Sequence, residues 1–141
     1  MLLAGFVMSA QDARELVTRI RTEAAESCVT AEYSMYAVVD EVRIEDEGTV
    51  VAQGDSWYLK GQSLEIYTCE QGTWILQPES KEAIVEPKWT YDDLDLFYSS
   101  LLKEAGNGLS VKINSFRKSE GVSPSFFTPN LDDEWIVTDL R

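Results

Sequence analysis

The order of apolar and polar residues changes period early in the chain. From Ser9 to Glu26 the apolar residues recur at helical spacing, which predicts an amphipathic helix. Its apolar stripe consists of Ala13, Leu16, Val17, Ile20 and Ala24. From Val29 to Val39 apolar and polar residues alternate, and this period of two predicts a strand with one buried face.

A meander of short strands is predicted between Val42 and Glu86. Runs rich in β-branched and aromatic residues are separated by turn residues, a pattern typical of consecutive antiparallel strands joined by tight turns. The turns fall at Gly54-Asp55, Gly61, Gly72 and Pro78. The predicted strands are Val42–Ile44, resuming after Gly48 as Val50–Ala52, then Trp57–Lys60, Leu64–Cys69, Thr73–Gln77 and Glu82–Glu86.

After the meander the pattern becomes helical and then returns to strands. A helix is predicted from a cap at Asp92-Asp93 to a stop at Gly106-Asn107-Gly108. Its apolar stripe consists of Leu94, Phe97, Leu101 and Ala105. Strand signal returns around Leu109, Val111 and Ile113, and again at Phe126-Phe127 and Trp135–Val137. This order predicts an α+β fold: a strongly curved antiparallel sheet, or incomplete β-barrel, with helices covering its concave face.

The chain length of 141 residues fits a single domain, which we assign to residues 11–141. Residues 1–10, MLLAGFVMSA, are similar to the end of a secretory signal peptide, with Val7 and Ser9 or Met8 and Ala10 at the cleavage positions. They lack a basic segment, so a signal remnant and a plain apolar N-terminus both stay open. We expect an exported protein whose mature chain begins near Ala10 or Gln11.

Two cysteines, Cys28 and Cys69, fall on the more polar positions of their predicted strands. A disulfide between them would suit an exported protein. Two free thiols are the alternative, because bridging requires the two Cα atoms to approach closely in the fold.

The net charge of −13, from 12 basic and 25 acidic residues, argues against nucleic acid as a partner. A nucleic-acid interface requires a basic stripe, and the basic residues here are few and interspersed with acids. The same charge disfavours anionic membrane surfaces. Acidic clusters occur at Glu45-Asp46-Glu47, Asp92-Asp93 and Asp132-Asp133-Glu134, and we interpret them as solvated turns, not as a metal site.

Catalytic chemistry has few candidates in this sequence. The absence of histidine removes the commonest general base and the histidine-containing metal sites, and two cysteines are too few for a structural zinc. There is also no glycine-rich phosphate loop. We therefore expect no enzymatic activity, no cofactor and no metal. A hydrolase using Asp92 or Asp93 is the remaining catalytic alternative, although acids near a helix start usually act as caps.

The meander and the chain's end resemble the LolA-type periplasmic carriers of outer-membrane lipoproteins. The likeness rests on the order and spacing of loose motifs along nearly the whole chain. The matching motifs are Gly48 opening a strand, the "G-D-x-aromatic" strand at Gly54–Leu59, Leu64–Tyr67, the turn to Trp74, the Glu79–Val85 strand and the closing Val137–Arg141. The chain is shorter than typical carriers, and it has Lys60 where the best-known carriers have an arginine that holds a helical lid shut.

The resemblance implies a non-enzymatic carrier of the Gram-negative periplasm that holds lipoprotein acyl chains, or other lipids, in an apolar cavity. It implies a donor complex in the inner membrane and an acceptor in the outer membrane, and we expect a monomer. Residues expected to line the cavity are Tyr33, Met35, Val51, Trp57, Leu59, Leu64, Ile66, Trp74 and Leu76 from strands, with Leu16, Ile20, Phe97 and Leu101 from helices. Lys60 is the candidate lid latch. The alternative is a same-fold accessory or sensor module of the cell envelope that binds lipid or protein.

Overall fold

The computed structural model describes residues 7–8, 10–96 and 110–141. Helix α1 spans Ala10–Ala24, a second helical segment spans 91–96, and a 3-10 turn spans Pro124–Phe127. The strands are β1 (Val7–Met8), β2 (Cys28–Val39), β3 (Val42–Gln53), β4 (Ser56–Lys60), β5 (Glu65–Cys69), β6 (Gly72–Gln77), β7 (Glu82–Glu86), β8 (Ser110–Ser119) and β9 (Ile136–Asp139).

All described strands belong to one sheet in the order β1-β8-β2-β3-β4-β5-β6-β7-β9. Strands β2 to β7 form the predicted meander, each antiparallel to the next. Strand β8 returns to pair with the far side of β2, while β9 pairs with β7 in parallel. The described part is an α+β fold whose large curved sheet does not close on itself, as predicted. The expectation of a purely antiparallel sheet was wrong, because β9 makes the sheet mixed.

Strand β3 is continuous, whereas the sequence predicted a break between Ile44 and Val50. Pairing with β2 extends from Cys28 opposite Gln53 to Val39 opposite Val42, so the ladder passes through the acidic stretch and Gly48. Tyr33 lies opposite Gly48, and a Cβ atom at Gly48 would sit 2.4 Å from the Tyr33 hydroxyl. Gly48 is therefore a strand residue, and the side chain of Tyr33 occupies the space that a side chain at this position would need.

The cap of the second helical segment is Thr90, two residues before the predicted Asp92. The Thr90 backbone N–H donates to Asp93 Oδ2 at 2.7 Å, and the Asp93 N–H donates to Thr90 Oγ1 at 3.2 Å. This reciprocal pair is a capping box in which Asp93 takes the place of the usual Glu. The predicted continuation of this helix through Phe97, Leu101 and Gly108 lies outside the described residues.

Residues directly opposite one another on neighbouring strands share a face of the sheet, so the register sorts every strand residue. The face that α1 and segment 91–96 cover is here called the helix face. Its core is one cluster of buried side chains from the sheet and both helices: Val17, Ile20, Ala24, Tyr33, Val50, Ala52, Trp57, Leu59, Ile66, Tyr91 and Leu94.

The opposite face, here called the tail face, is partly covered by the segment that contains Val122 and the 3-10 turn Pro124–Phe127. Gln53 fixes this segment with two hydrogen bonds to Val122, one through its amide N–H and one through its carbonyl oxygen, both 3.0 Å long. Phe126, in the 3-10 turn, meets the ring of Tyr58 edge-on at a centroid distance of 5.8 Å. The predicted strand at Phe126-Phe127 is therefore replaced by a 3-10 turn, which Pro124 starts with its fixed φ.

Candidate ligand site beneath the helices

Most of the predicted cavity residues are gathered on the helix face. Those in the buried cluster or packed directly against it are Leu16, Ile20, Tyr33, Met35, Trp57, Leu59, Leu64 and Ile66. The side chains of Trp57 and Ile66 have 0% exposure, so no water-sized gap touches either of them. The apolar cavity expected from the sequence is therefore not open around these two residues, which lie in one packed cluster with side chains of α1 and segment 91–96, and a ligand would have to displace the side chains that cover them.

Three predicted lining residues, Val51, Trp74 and Leu76, lie on the tail face instead. The register places Val51 opposite Tyr58, Tyr58 opposite Tyr67, and Tyr67 opposite Trp74. Leu76 is opposite Glu65, which is itself opposite Lys60. These residues therefore do not line the same space as Trp57. Phe97 and Leu101, which were also expected to line it, lie outside the described residues.

Two tryptophans meet at the end of the helix-face core. The rings of Trp57 and Trp89 are 6.4 Å apart between centroids and are inclined by 48°. The Trp89 indole N–H donates to Glu86 Oε1 at 2.8 Å. The Trp57 indole N–H is fully buried and has no acceptor among the described residues. The Trp89 indole N–H therefore has a hydrogen-bond acceptor, whereas the Trp57 indole N–H has none among the described residues.

A buried polar pair lies beside Trp57 in the same row across the sheet. Thr68 is directly opposite Trp57, and Thr73 is directly opposite Thr68. The two hydroxyl oxygens are 3.1 Å apart, and Thr73 Oγ1 also accepts the Trp89 backbone N–H at 2.8 Å. Both threonines are fully buried. This small network attaches the loop before segment 91–96 to the sheet.

The two helical elements are joined to each other and to the sheet at the edge of this core. Arg21 of α1 donates to Asp92 Oδ1 at 2.7 Å, and its guanidinium lies 5.5 Å from the centroid of the Tyr91 ring. The Tyr91 hydroxyl donates to the Gly54 carbonyl at 2.7 Å. Burial raises the pKa of Tyr91 to about 12, with Asp55 adding to the shift and Arg21 opposing it. Tyr91 is thus held in its neutral, hydrogen-bonding form.

Lys60, the predicted lid latch, is not placed to hold either described helical element. It is exposed on the tail face, opposite Thr49 and Glu65, and it borders a shallow polar groove of about 590 Å³. The ion pair that does connect the helical elements uses Arg21 and Asp92, which are 71 residues apart in the chain. Sequence reasoning missed Arg21 because its partner can be identified only once the fold is known.

Cys28 and Cys69 are both free and buried, so the possible disulfide is not formed. They share the tail face but belong to β2 and β5, with β3 and β4 between them. Three strand spacings amount to about 14 Å, whereas a disulfide joins Cα atoms at most about 7 Å apart. The Cys69 thiol instead donates to Gln71 Oε1 at 2.9 Å.

The carboxylates of the hydrolase alternative occupy surface positions with defined partners. Asp92 pairs with Arg21, and Asp93 completes the capping box with Thr90. The Asp92 side chain is 82% exposed. Asp93 therefore acts as a cap residue, as the cap interpretation expects, while Asp92 joins the segment to α1.

No protein-family model and no curated protein matches this chain. Within residues 7–8, 10–96 and 110–141, no helix is both long and apolar enough to cross a membrane. In the same described part of the chain, no group of three acidic or cysteine side chains is arranged to hold a metal ion. A function for this protein is therefore inferred from the geometry of the helix face.

Proposed function

We propose that this protein is a carrier that binds the acyl chains of lipoproteins, or other lipids, between its helices and the helix face of the sheet. In the filled state the acyl chains replace the contacts that α1 and segment 91–96 make with the sheet. The observation that carries this proposal is an apolar sheet face packed against α1 and segment 91–96, which are connected to each other by an exposed ion pair.

The apolar burial that acyl chains would gain is comparable to the burial that the described helix side chains would lose. Helix α1 contributes Val17, Ile20 and Ala24 to the buried cluster, and segment 91–96 contributes Tyr91 and Leu94. Burying a large apolar side chain stabilises by roughly 1.5–3 kcal/mol, so lifting these side chains costs on the order of 10 kcal/mol. Burying a chain of about 16 methylenes gains roughly 13 kcal/mol at about 0.8 kcal/mol each. A lipid with two or three chains can therefore displace a helix.

The proposed compartment, partners and binding side of the sheet come from the resemblance to LolA-type carriers. It places the protein in the periplasm of a Gram-negative bacterium, as a non-enzymatic monomer between an inner-membrane donor and an outer-membrane acceptor. It also identifies the open sheet as an incomplete barrel whose concave side receives the acyl chains. The helix-first order, the meander and the return of β8 to β2 are compatible with this assignment.

The direct test is to purify the protein from an exporting host and analyse extracted lipid by mass spectrometry. We expect acyl-bearing species in about equimolar amount, and an apolar fluorescent probe should bind the delipidated protein. The variant Ile66→Asp places a carboxylate in the buried cluster and should lose probe binding, whereas Ile84→Asp, on the exposed part of the same row, should retain it. Absence of both lipid and probe binding would contradict the carrier function.

The Arg21–Asp92 ion pair should slow ligand exchange. We expect Asp92→Asn to raise the dissociation rate of a bound apolar probe about 1.5- to 5-fold at low salt, because an exposed ion pair contributes roughly 0.2–1 kcal/mol. High salt should reduce the difference between variant and wild type. Stopped-flow fluorescence measures the rate.

A matched control is Glu134→Gln, which removes an exposed ion pair with Lys81 away from both helical elements. It should leave the exchange rate unchanged. An Asp92→Asn rate equal to that of the wild type would show that this ion pair does not hold the helices closed.

A same-fold accessory or sensor module is the second candidate, and the edge strand β9 favours it. Ile136 and Val137 on this strand, and Leu140 after it, are 65%, 48% and 59% exposed, and the outer edge of β9 has no neighbouring strand among the described residues. Such an edge can accept a strand from another protein. This candidate predicts a co-purifying protein that is lost on Val137→Asp while no lipid is extracted.

A further inference from the structure

The unsatisfied donor of Trp57 is costly where it lies. A buried N–H group without an acceptor loses its hydrogen bond to water and gains nothing in return, and native structures contain few such groups. The adjacent Trp89 shows the usual solution, since its indole N–H bonds to Glu86. Among the described residues, Trp57 Nε1 is the one buried side-chain nitrogen or oxygen without a hydrogen-bond partner.

We propose that Trp57 Nε1 donates a hydrogen bond to a carbonyl oxygen of the bound lipid. The ligand class is then an acyl chain attached through an ester or amide, as opposed to an ether-linked chain or a plain hydrocarbon. This assignment rests on the proposed carrier function and deepens it, because it names the polar atom that the site recognises. The acyl chain would extend from Trp57 along the neighbouring buried row, past Leu59 and Ile66.

The surroundings of Trp57 select a neutral acceptor. Its cross-strand neighbours are Ala52 and Thr68, which carry no charge, and the nearby Glu86 carboxylate would repel an anion. Burying a carboxylate or phosphate without a cation partner is strongly unfavourable. No arginine or lysine belongs to the buried cluster of the described residues. A phosphate or free carboxylate is therefore a poor partner for this indole.

A water molecule would also satisfy the indole less well than a carbonyl does. A buried water typically makes about three hydrogen bonds, and the hydroxyl of Thr68, directly opposite Trp57, is already bonded to that of Thr73. A lipid carbonyl can be satisfied by a single donor, and it is covalently attached to the hydrocarbon that the rest of the face buries. One donor in an apolar setting is what such a group requires.

The test compares two phosphatidylcholines of equal chain length, one with ester-linked and one with ether-linked chains, as competitors for the fluorescent probe. The ester-linked lipid has a carbonyl oxygen on each chain, and the ether-linked lipid has none. We expect wild-type protein to bind the ester lipid about fivefold to tenfold more tightly, the value of one hydrogen bond to a buried donor. Trp57→Phe should bring the ratio to about 1, while Trp89→Phe, the matched control, should retain the preference.

A second measurement uses the unmodified protein, in case Trp57→Phe folds poorly. The ¹H–¹⁵N resonance of the Trp57 indole should shift downfield with the ester lipid and not with the ether lipid. Equal wild-type affinities with no such shift would overturn the carbonyl contact and leave lipid binding intact. Failure of both lipids to displace the probe would overturn the carrier function, and the carbonyl contact with it.

Discussion

Ile66→Ala should lower the free energy of unfolding by about 2–5 kcal/mol, the range for truncating an aliphatic side chain in a packed core. Ile66 has 0% exposure and belongs to the buried cluster of the helix face, on a central strand of the sheet. Ile84→Ala is the matched control. Ile84 lies in the same cross-strand row, through Ile75, but is 43% exposed, and its truncation should cost less than about 1 kcal/mol. Urea denaturation followed by tryptophan fluorescence measures both values.

The size of the Ile66 effect also reports the state of the ligand-free protein. If the helices rest directly on the sheet, removing three carbon atoms leaves a cavity and loses many contacts. If the space beneath the helices were already open, those contacts would be missing in the wild type and the two variants would behave alike. Similar costs for Ile66→Ala and Ile84→Ala would therefore contradict the closed arrangement.

The strands themselves could be predicted because their signal is local. Alternation within β2 and the β-branched run of β7 each appear within a few residues, and both strands match their predicted bounds to within one residue. The amphipathic stripe of α1 is equally local, and the predicted helix covers the observed Ala10–Ala24. In each case the side-chain period decides which backbone conformation can bury the apolar residues.

The face on which a strand residue lies was harder to predict. Trp57 and Trp74 look equivalent in the sequence, yet they lie on opposite faces because the register of successive strands sets their relative phase. Burial was no guide either, since the tail face also buries apolar residues such as Leu76, partly under a segment near the chain's end. Residues of the tail face are buried by a distant part of the chain, and the alternation of residues within one strand does not show this.

The contacts that define the candidate site are the least local of all. Arg21 reaches Asp92 across 71 residues, and Tyr91 reaches Gly54 across 37. The parallel pairing of β9 with β7 likewise brings together distant segments. Loop closure over such distances depends on the whole fold, so the sequence could indicate the apolar lining but not the groups that close it.

Thr73→Val should lower the free energy of unfolding by about 2–4 kcal/mol although the two side chains have nearly the same shape. The change deprives the Trp89 backbone N–H of its acceptor and leaves the buried Thr68 hydroxyl without its partner. A fully buried polar group left unsatisfied costs about 1–3 kcal/mol, which applies to the Thr68 hydroxyl, and the half-buried Trp89 N–H adds less. Thr68→Val should cost less, about 1 kcal/mol, because Thr73 still accepts the Trp89 N–H.

The double variant separates the hydrogen-bond network from simple packing. With both threonines replaced, the Thr68 hydroxyl no longer exists to be left unsatisfied, so the double variant should be no less stable than Thr73→Val alone. The expected coupling energy of about 0.5–3 kcal/mol is the range for residues in one network. Strictly additive losses would show that the two hydroxyls act independently. Because Thr73 attaches the loop before segment 91–96 to the sheet, we also expect Thr73→Val, and not Thr68→Val, to speed probe exchange at the helix face.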